Sequence, residues 1–471
     1  MARFDVVVLG GGTGGYVAAI RGAQLGLKVA LVEKDKVGGT CLHRGCIPTK
    51  TYLRSAELLH TLRQSEAFGL RHGGVTLDFA AVHARKEQVV ATLHQGVQGL
   101  LKRHGVTVYY GTGTLVPPSI FSPGGMVAVT APDGKQEMLE PEKVIIATGS
   151  RPRTMGLSVD GIHTMTSDEA LARTALPSSV VIVGGGAVGV EWASLLQDFG
   201  AAVTLVEALP RILASEDEEV AAEVAGAMQR RGIRILTGAE VLPGTVQVEG
   251  GRVSLQVRAE KQVQTLQAET LLLAAGREPV TQGIGLENRE RVTLGPGGFI
   301  QVDAFGRTGD PAVYAIGDVV GGGLAHVAAR QGIIAMEHIA GLRPEPLDRQ
   351  KVPRCVYGRP EVAAVGYTEA EARARGFEVK VAKFPFRAIG KALVHGETGG
   401  FAKVVADART GDLLGVHLVG PDATNLVSEA GLALLLNASA WEVGQLVHPH
   451  PSLSEVLGEA ALAVEGRALH L

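Results

Sequence analysis

The chain has 471 residues, a net charge of −3 and 46% hydrophobic residues, which is too long for one core and gives room for about three domains. It carries no basic stripe with interleaved aromatics and no apolar run long enough to cross a bilayer, which argues against nucleic acid and membrane as partners. Three cysteines, and a first strand that begins at residue 4 with no leader-like stretch before it, point to the reducing cytosol and against a framework of structural disulfides.

Phe4 to Leu9 is a short apolar run that leads into Gly10-Gly11-Gly12-Thr13-Gly14-Gly15, followed by a helical pattern through Tyr16, Ala19, Ile20 and Ala23. A second strand, Lys28 to Val32, ends in Glu33, about twenty residues past the glycines, where a carboxylate accepts ribose hydroxyls. Gly10 suits the tight turn, Gly12 the close approach of a pyrophosphate and Gly15 the contact of helix on strand. The helix N-terminus adds N–H donors and the positive end of its dipole. Together these features predict a dinucleotide site.

Cys41 and Cys46 follow, in the run Gly-Gly-Thr-Cys41-Leu-His-Arg-Gly-Cys46-Ile-Pro-Thr-Lys50. A lone close pair in a reducing compartment is catalytic or metal-binding, and a metal needs two further ligands where only His43 is near. No metal is therefore expected, and the pair reads as a redox-active disulfide against a flavin. Cys46 is predicted to open a helix over Ile47 to Leu62 with Pro48 in its first turn, which puts its thiolate at the positive end of the helix and lowers its pKa. Lys50 stands one helical turn beyond Cys46, on the same face.

The first pattern recurs. Ser179 to Val183 leads into Gly184-Gly185-Gly186-Ala187-Val188-Gly189, a helix through Trp192 and Leu196, and a strand from Ala202 to Val206 ending in Glu207. One chain with two such units binds two dinucleotides, and hydride passes between them when one is a flavin and the other a nicotinamide. Glu207 favours NAD over NADP, since a carboxylate repels a 2′-phosphate, although Arg211 is close by.

Two strand-to-turn segments, Val144 to Ser150 with Ala147-Thr148-Gly149, and Leu271 to Arg277 with Gly276, resemble each other and read as crossovers between domains. Ala312 to Asp318 ends another strand in an acid suited to a ribityl hydroxyl, and the helix after Gly323 offers its N-terminus at Ala325 and His326. From about Lys351 an α+β domain begins, with strands at Glu361 to Gly366 and Gly400 to Val405. Cys355 reads as a small buried apolar residue there. His450 lies between Pro449 and Pro451, which fix its direction, and Glu455 is placed to hold its second nitrogen, a base with an orienting acid. His448 is the nearby decoy.

The two glycine fingerprints, the Cys41–Cys46 box, Ala147-Thr148-Gly149, Gly317-Asp318 and the His448-Pro-His450-Pro-Ser-Leu-Ser-Glu455 run together resemble the flavin-linked pyridine nucleotide disulfide oxidoreductases, in that family's order and nearly end to end. Within the family the likeness is to the branch that oxidises dihydrolipoamide. The resemblance implies an α/β chain with two Rossmann-like domains, for FAD (1–148) and NAD (149–272), a central domain completing the FAD site (273–348) and a C-terminal α+β dimerisation domain (349–471). It implies Cys46 as the charge-transfer thiol, Cys41 as the interchange thiol, Lys50 beside the flavin paired with Glu191, and His450 with Glu455 acting on the partner subunit of a homodimer. To the FAD site it adds Lys34, Gly39, Thr40, Gly113 and Leu324, and to the NAD site Val188, Val241 and Gly276. It implies protein-bound dihydrolipoamide as substrate, NAD+ as acceptor, and, as partners, lipoyl domains and the acyltransferase core of 2-oxoacid dehydrogenase complexes or the glycine cleavage system.

The chain departs from the family between the cysteines, where Leu42-His43-Arg44-Gly45 is expected to set a positive charge beside the thiolate. Glutathione-type and mercuric reductases are the neighbouring alternatives. The first calls for NADPH and a more cationic pocket, the second for a C-terminal cysteine pair. A non-catalytic docking subunit is the alternative of another class, and intact Cys41, Cys46, Lys50, His450 and Glu455 argue against it.

Overall fold

The computed structural model describes residues 2–118, 125–259 and 262–470. The chain forms two compact units, one of residues 1–51, 80–153 and 276–347, the other of residues 52–79, 154–275 and 348–471.

The first unit is built on a sheet around β1 (Ala2–Leu9), which pairs in parallel with β2 (Val29–Glu33) on one side and with the strand Gln136–Ile146 on the other. Thr107–Tyr110 lies outside β2, Met126–Thr130 and Thr112–Val116 extend the other edge as antiparallel strands, and Val313–Ala315 pairs in parallel with Gln136–Ile146. The second half of β1, Val6 to Leu9, is covered on both faces and is continuously apolar. Val7 and Leu9 enter one core, Val6 and Val8 the other, and Val6, Val7 and Val8 are each 0% exposed. Burial on that scale stabilises the fold by about 1.5–3 kcal/mol per valine.

Helix α1 (Thr13–Gln24) follows β1. Its small residues admit a second helix, Ala325–Ile339, at close range: a β-carbon on Gly14 would meet the Ala328 carbonyl at 3.0 Å, and one on Gly22 the Met336 sulfur at 2.8 Å. Two short steps then follow β2: α2 (Gly39–Arg44) and α3 (Cys46–Arg63). The stretch between the cysteines is thus a six-residue helix, where a tight loop is the simpler sequence reading.

The second unit holds three sheets. Five parallel strands run in the order Arg234–Leu236, Ala202–Val206, Ser179–Val183, Thr270–Leu273, Thr164–Thr166. Beside them lies an antiparallel sheet of Ala239–Val241, Gln247–Glu249, Arg252–Ala259 and Gln262–Ala268. The third is antiparallel, in the order Arg354–Val356, Glu361–Gly366, Leu413–Gly420, Phe401–Asp407, Val379–Pro385. Helix Glu455–Val464 packs on this last sheet through Val456, Leu457 and Ala460. Cys355 is half-buried at the margin of the same core, not fully buried, because its strand is the sheet's edge. Among the described residues no helix is long and apolar enough to cross a membrane.

Candidate active site

Two glycine turns repeat one geometry in the two units. Gly10 has φ +105° and Gly184 φ +110°, backbone that side chains rarely adopt. A β-carbon on either would stand 2.3 Å from a carbonyl oxygen, that of Ala147 for Gly10 and of Ala274 for Gly184. Gly15 and Gly189 are more tightly constrained, each with its absent β-carbon 1.8 Å from the Gly10 or Gly184 oxygen. Gly12 and Gly186 are the reverse: each caps its helix in extended backbone without a side-chain cap, and the nearest atom to a β-carbon is 3.9 Å away for Gly12, with none within 4 Å for Gly186. These two positions leave room for a ligand at unfilled helix N–H groups, the fit that a dinucleotide pyrophosphate requires.

Both acids that end the second strand of their repeat brace the turn. Glu33 accepts the N–H of Gly11 at 2.7 Å and of Asp35 at 2.8 Å, and Glu207 accepts the N–H of Gly185 at 2.5 Å and of Leu209 at 2.7 Å. Each carboxylate keeps further lone pairs for ribose hydroxyls.

The cysteines come together at the start of α3. Cys41, on α2, and Cys46, the first residue of α3, hydrogen-bond through their sulfurs as free thiols. The hydrogen bond to Cys46 and then burial push the Cys41 thiol well above its ordinary range, while the Thr13 hydroxyl and the charge of Lys50 pull it down. Tyr16 faces the same sulfur, and its phenol is pushed up by burial first and by Cys41 second.

Arg44 does not charge this site as expected. Its guanidinium pairs with Asp35 at the surface, and the His43 ring turns to the Val37 carbonyl at 2.9 Å, edge-on to His94 with ring centroids 5.0 Å apart. Burial lowers the His43 pKa, so the imidazole is neutral at neutral pH.

The remaining expected residues of the first unit lie around the sheet ends. Lys34 is exposed just after β2, and Gly39, at φ +60°, opens α2 ahead of Thr40. Ala147 follows strand Gln136–Ile146 and bonds Leu9. The Thr148 hydroxyl donates to the Val280 carbonyl at 2.6 Å, and Gly149, at φ +72°, has open space beside it. Gly113 is bare for packing, since a β-carbon there would meet Leu9 at 2.7 Å. Asp318 sits in the short turn Gly317–Val320 and accepts the Ser150 hydroxyl at 2.5 Å, and Arg277 in turn donates to that hydroxyl at 2.7 Å. Leu324 caps the helix that Ala325 and His326 begin.

In the second unit, Val188 is 42% exposed on the first turn of its helix. Glu191 is buried and accepts the Tyr357 N–H at 3.0 Å. Val241 ends its strand with its side chain in the apolar core, which leaves only its backbone for a ligand. Gly276, expected with the NAD group, belongs to the first unit.

His450 bonds Glu455 through Nδ1 at 2.8 Å, with its ring 79% exposed, and Glu455 also accepts the Ser452 N–H at 2.9 Å. Burial opposes the Glu455 charge, but the Ser452 N–H and His450 outweigh it and hold the carboxyl below its usual range. His448 is half-buried, with its side chain 8% exposed and bonded to Glu429 at 2.9 Å, whose hydrogen bond raises its pKa.

The family models for the pyridine nucleotide-disulphide oxidoreductases and for their dimerisation domain match residues 4–332 and 352–461. The chain belongs to the pyridine nucleotide-disulphide oxidoreductases. It is similar to the dihydrolipoyl dehydrogenases of Bacillus subtilis, at 54% identity, and Zymomonas mobilis, at 44%, with 99% of each chain covered in both cases. The crystal structure of LpdA from Mycobacterium tuberculosis superposes with a TM-score of 0.90 at 30% identity, over 98% of this chain and 100% of that one. FAD and NAD are the cofactors of this oxidoreductase family, and the chain carries the family's dimerisation domain, which supports a homodimer.

Sequence reading assigned no role to two polar groups of this oxidoreductase, Ser150 and Arg277, which hold Asp318. Ser150 and Arg277 each follow the glycine of one of the two similar crossover segments, and that equivalence was the available signal. Their strands Ser150–Pro152 and Arg277–Pro279 pair antiparallel.

Proposed function

We infer that the chain is a dihydrolipoyl dehydrogenase, oxidising dihydrolipoamide to lipoamide and reducing NAD+. The observation that carries this is the Cys41–Cys46 pair at the start of α3, beside the first of two dinucleotide turns. FAD, held by the turn at Gly10, Gly12 and Gly15 with Glu33 and Asp318, supplies the two-electron relay between the dithiol and the nicotinamide.

His450, its Nδ1 bonded to Glu455, takes a substrate thiol proton at Nε2. The substrate thiolate attacks Cys41 Sγ, a new S–S bond forms, the Cys41–Cys46 bond breaks and its electron pair goes to Cys46. The second substrate sulfur then closes the lipoamide ring and expels Cys41. Lys50 stabilises negative charge at the dithiol, and Glu191, fixed by Tyr357, serves the nicotinamide side with Glu207 on the ribose.

Of the four-domain division at 148, 272 and 348, the last boundary is supported by the dimerisation match from residue 352. His450 reaches the partner subunit's dithiol from that domain. The substrate arms are lipoyl domains of 2-oxoacid dehydrogenase or glycine cleavage complexes in the cytoplasm. The test is NAD+ reduction by dihydrolipoamide in the FAD-loaded enzyme, against glutathione disulfide with NADPH. Activity with dihydrolipoamide alone is expected, and turnover of glutathione disulfide alone would overturn the reading.

A further inference from the structure

We propose that His448 is a positioning residue of the reaction: paired with Glu429 and laid against Gly458, it fixes the exposed loop that carries His450 and so sets that imidazole in place to take the thiol proton. The proposal rests on the reading of His450 as the base that acts on dihydrolipoamide.

The loop has few other holds. It joins helix Ala440–Gln445 to helix Glu455–Val464, and among the described residues no backbone–backbone hydrogen bond is made by residues 447–451. From Gln445 to Pro451 every residue is exposed except His448. Its neighbour Val447 is 91% exposed, while the His448 side chain is 8% exposed. The His448 Nε2 meets Glu429, on helix Ala423–Leu435, at 2.9 Å. The ring lies against helix Glu455–Val464, where a β-carbon on Gly458 would stand 2.8 Å from its Cε1 and Nδ1. Glycine weakens a helix interior, and here the absent side chain is the space the ring occupies. Glu455 and Gly458 are three residues apart and share a helix face, so the ring is seated on the face of the helix that also presents the acid holding His450.

A base must be aimed as well as present. Glu455 bonds His450 Nδ1 at 2.8 Å, which sets the tautomer and leaves Nε2 to accept a proton, but the ring itself is 79% exposed. Its direction depends on the chain that carries it. Pro449 and Pro451 each fix φ near about −65° and hold the residue before them in extended backbone. The segment His448-Pro449-His450-Pro451 is therefore stiff, and an anchor at His448 is passed on to His450 two residues later. Tied to one helix through Glu429 and to another at Gly458, the loop has little freedom to swing. A catalytic group misplaced by about 1 Å costs about 100-fold in rate.

The test is stopped-flow reduction of the flavin in the FAD-loaded dimer, by dihydrolipoamide and separately by NADH, with the melting temperature recorded for each variant. His448→Ala removes both holds and should slow reduction by dihydrolipoamide about 10- to 100-fold, while reduction by NADH, which needs no proton at His450, keeps the wild-type rate. His448→Gln sets an amide N–H where the Nε2–H stood and should restore most of the loss. Should His448→Ala fail to fold, Glu429→Ala, which removes one hold, decides in its place by the same selective slowing. A folded variant that reacts with dihydrolipoamide at the wild-type rate, a loss shared equally by both reductants, or a loss that His448→Gln does not restore overturns the positioning role and leaves His448 a packing residue only. His450→Gln is the reference: reduction of its flavin by dihydrolipoamide at the wild-type rate would overturn the assignment of the base, and the proposal with it.

Discussion

Two glycines of the second turn, three residues apart, should fail in opposite ways when replaced by alanine. At Gly186 the backbone is extended, with φ −75° and ψ −174°, and a β-carbon meets nothing within 4 Å. The folded state should therefore lose no more than the difference between glycine and alanine at a helix cap, at most about 1 kcal/mol, or a few degrees in melting temperature. The added methyl fills the space left for a pyrophosphate. If it prevents one backbone N–H from reaching a phosphate oxygen, the loss is about 1.5–3 kcal/mol, or about 10- to 100-fold in NADH affinity. At Gly189 the β-carbon would lie 1.8 Å from the Gly184 carbonyl oxygen. Relief requires moving helix from strand by more than 1 Å, and overpacking of that kind costs about 3 kcal/mol or more. Equilibrium NADH titration and thermal melting of both variants decide the matter. Unchanged NADH affinity in Gly186→Ala, or unchanged melting in Gly189→Ala, would refute the assignment of the two glycines to ligand approach and to helix contact.

Three further outcomes are expected. Lys403, with a side chain 3% exposed, is held by Asp217 at 2.9 Å, Glu219 at 2.8 Å and Glu369 at 3.0 Å, and although burial works against its charge these carboxylates keep it cationic; Lys403→Met should cost about 3–5 kcal/mol in denaturant unfolding by taking the cation from the buried Asp217, while Glu219 keeps Lys383 and Glu369 keeps Arg373. The folded pKa of His448 is raised, chiefly by Glu429, so its contribution is fully present below the unfolded value of about 6.5 and is lost as pH rises through the folded value. His448→Gln should therefore lower the melting temperature more at pH 6 than at pH 9, and an equal loss at both would contradict it. Glu207→Gln should narrow the preference for NADH over NADPH in kcat/KM, since the amide no longer repels a 2′-phosphate.

Much of this was legible because both nucleotide units carry their signal locally. The strands Ser179–Val183, Ala202–Val206 and Glu361–Gly366 stand where the apolar runs place them, and the glycine spacing maps directly onto turn, approach and contact. What escaped depends on distant partners. Arg44 reads as charge beside a thiolate until Asp35, nine residues earlier, is seen to pair with it. Asp318 reads as a solvated or ligand-facing acid, and its partners Ser150 and Arg277 come from segments far apart in the chain. Strand Val313–Ala315 ties residues 276–347 to the first unit by pairing with Gln136–Ile146, a long-range register that no local pattern encodes. The six-residue helix between the cysteines is too short to show a period.

The central claim, that Cys41 and Cys46 are the redox pair which accepts electrons from dihydrolipoamide, is tested most directly by counting thiols. The chain has three cysteines, of which Cys355 is on an edge strand of the second unit. Under anaerobic conditions and after denaturation, the oxidised enzyme should show one alkylatable thiol per chain, at Cys355. One equivalent of dihydrolipoamide should raise the count to three, with the new label on Cys41 and Cys46. A count that stays at one, or a new label that falls elsewhere, would contradict the account.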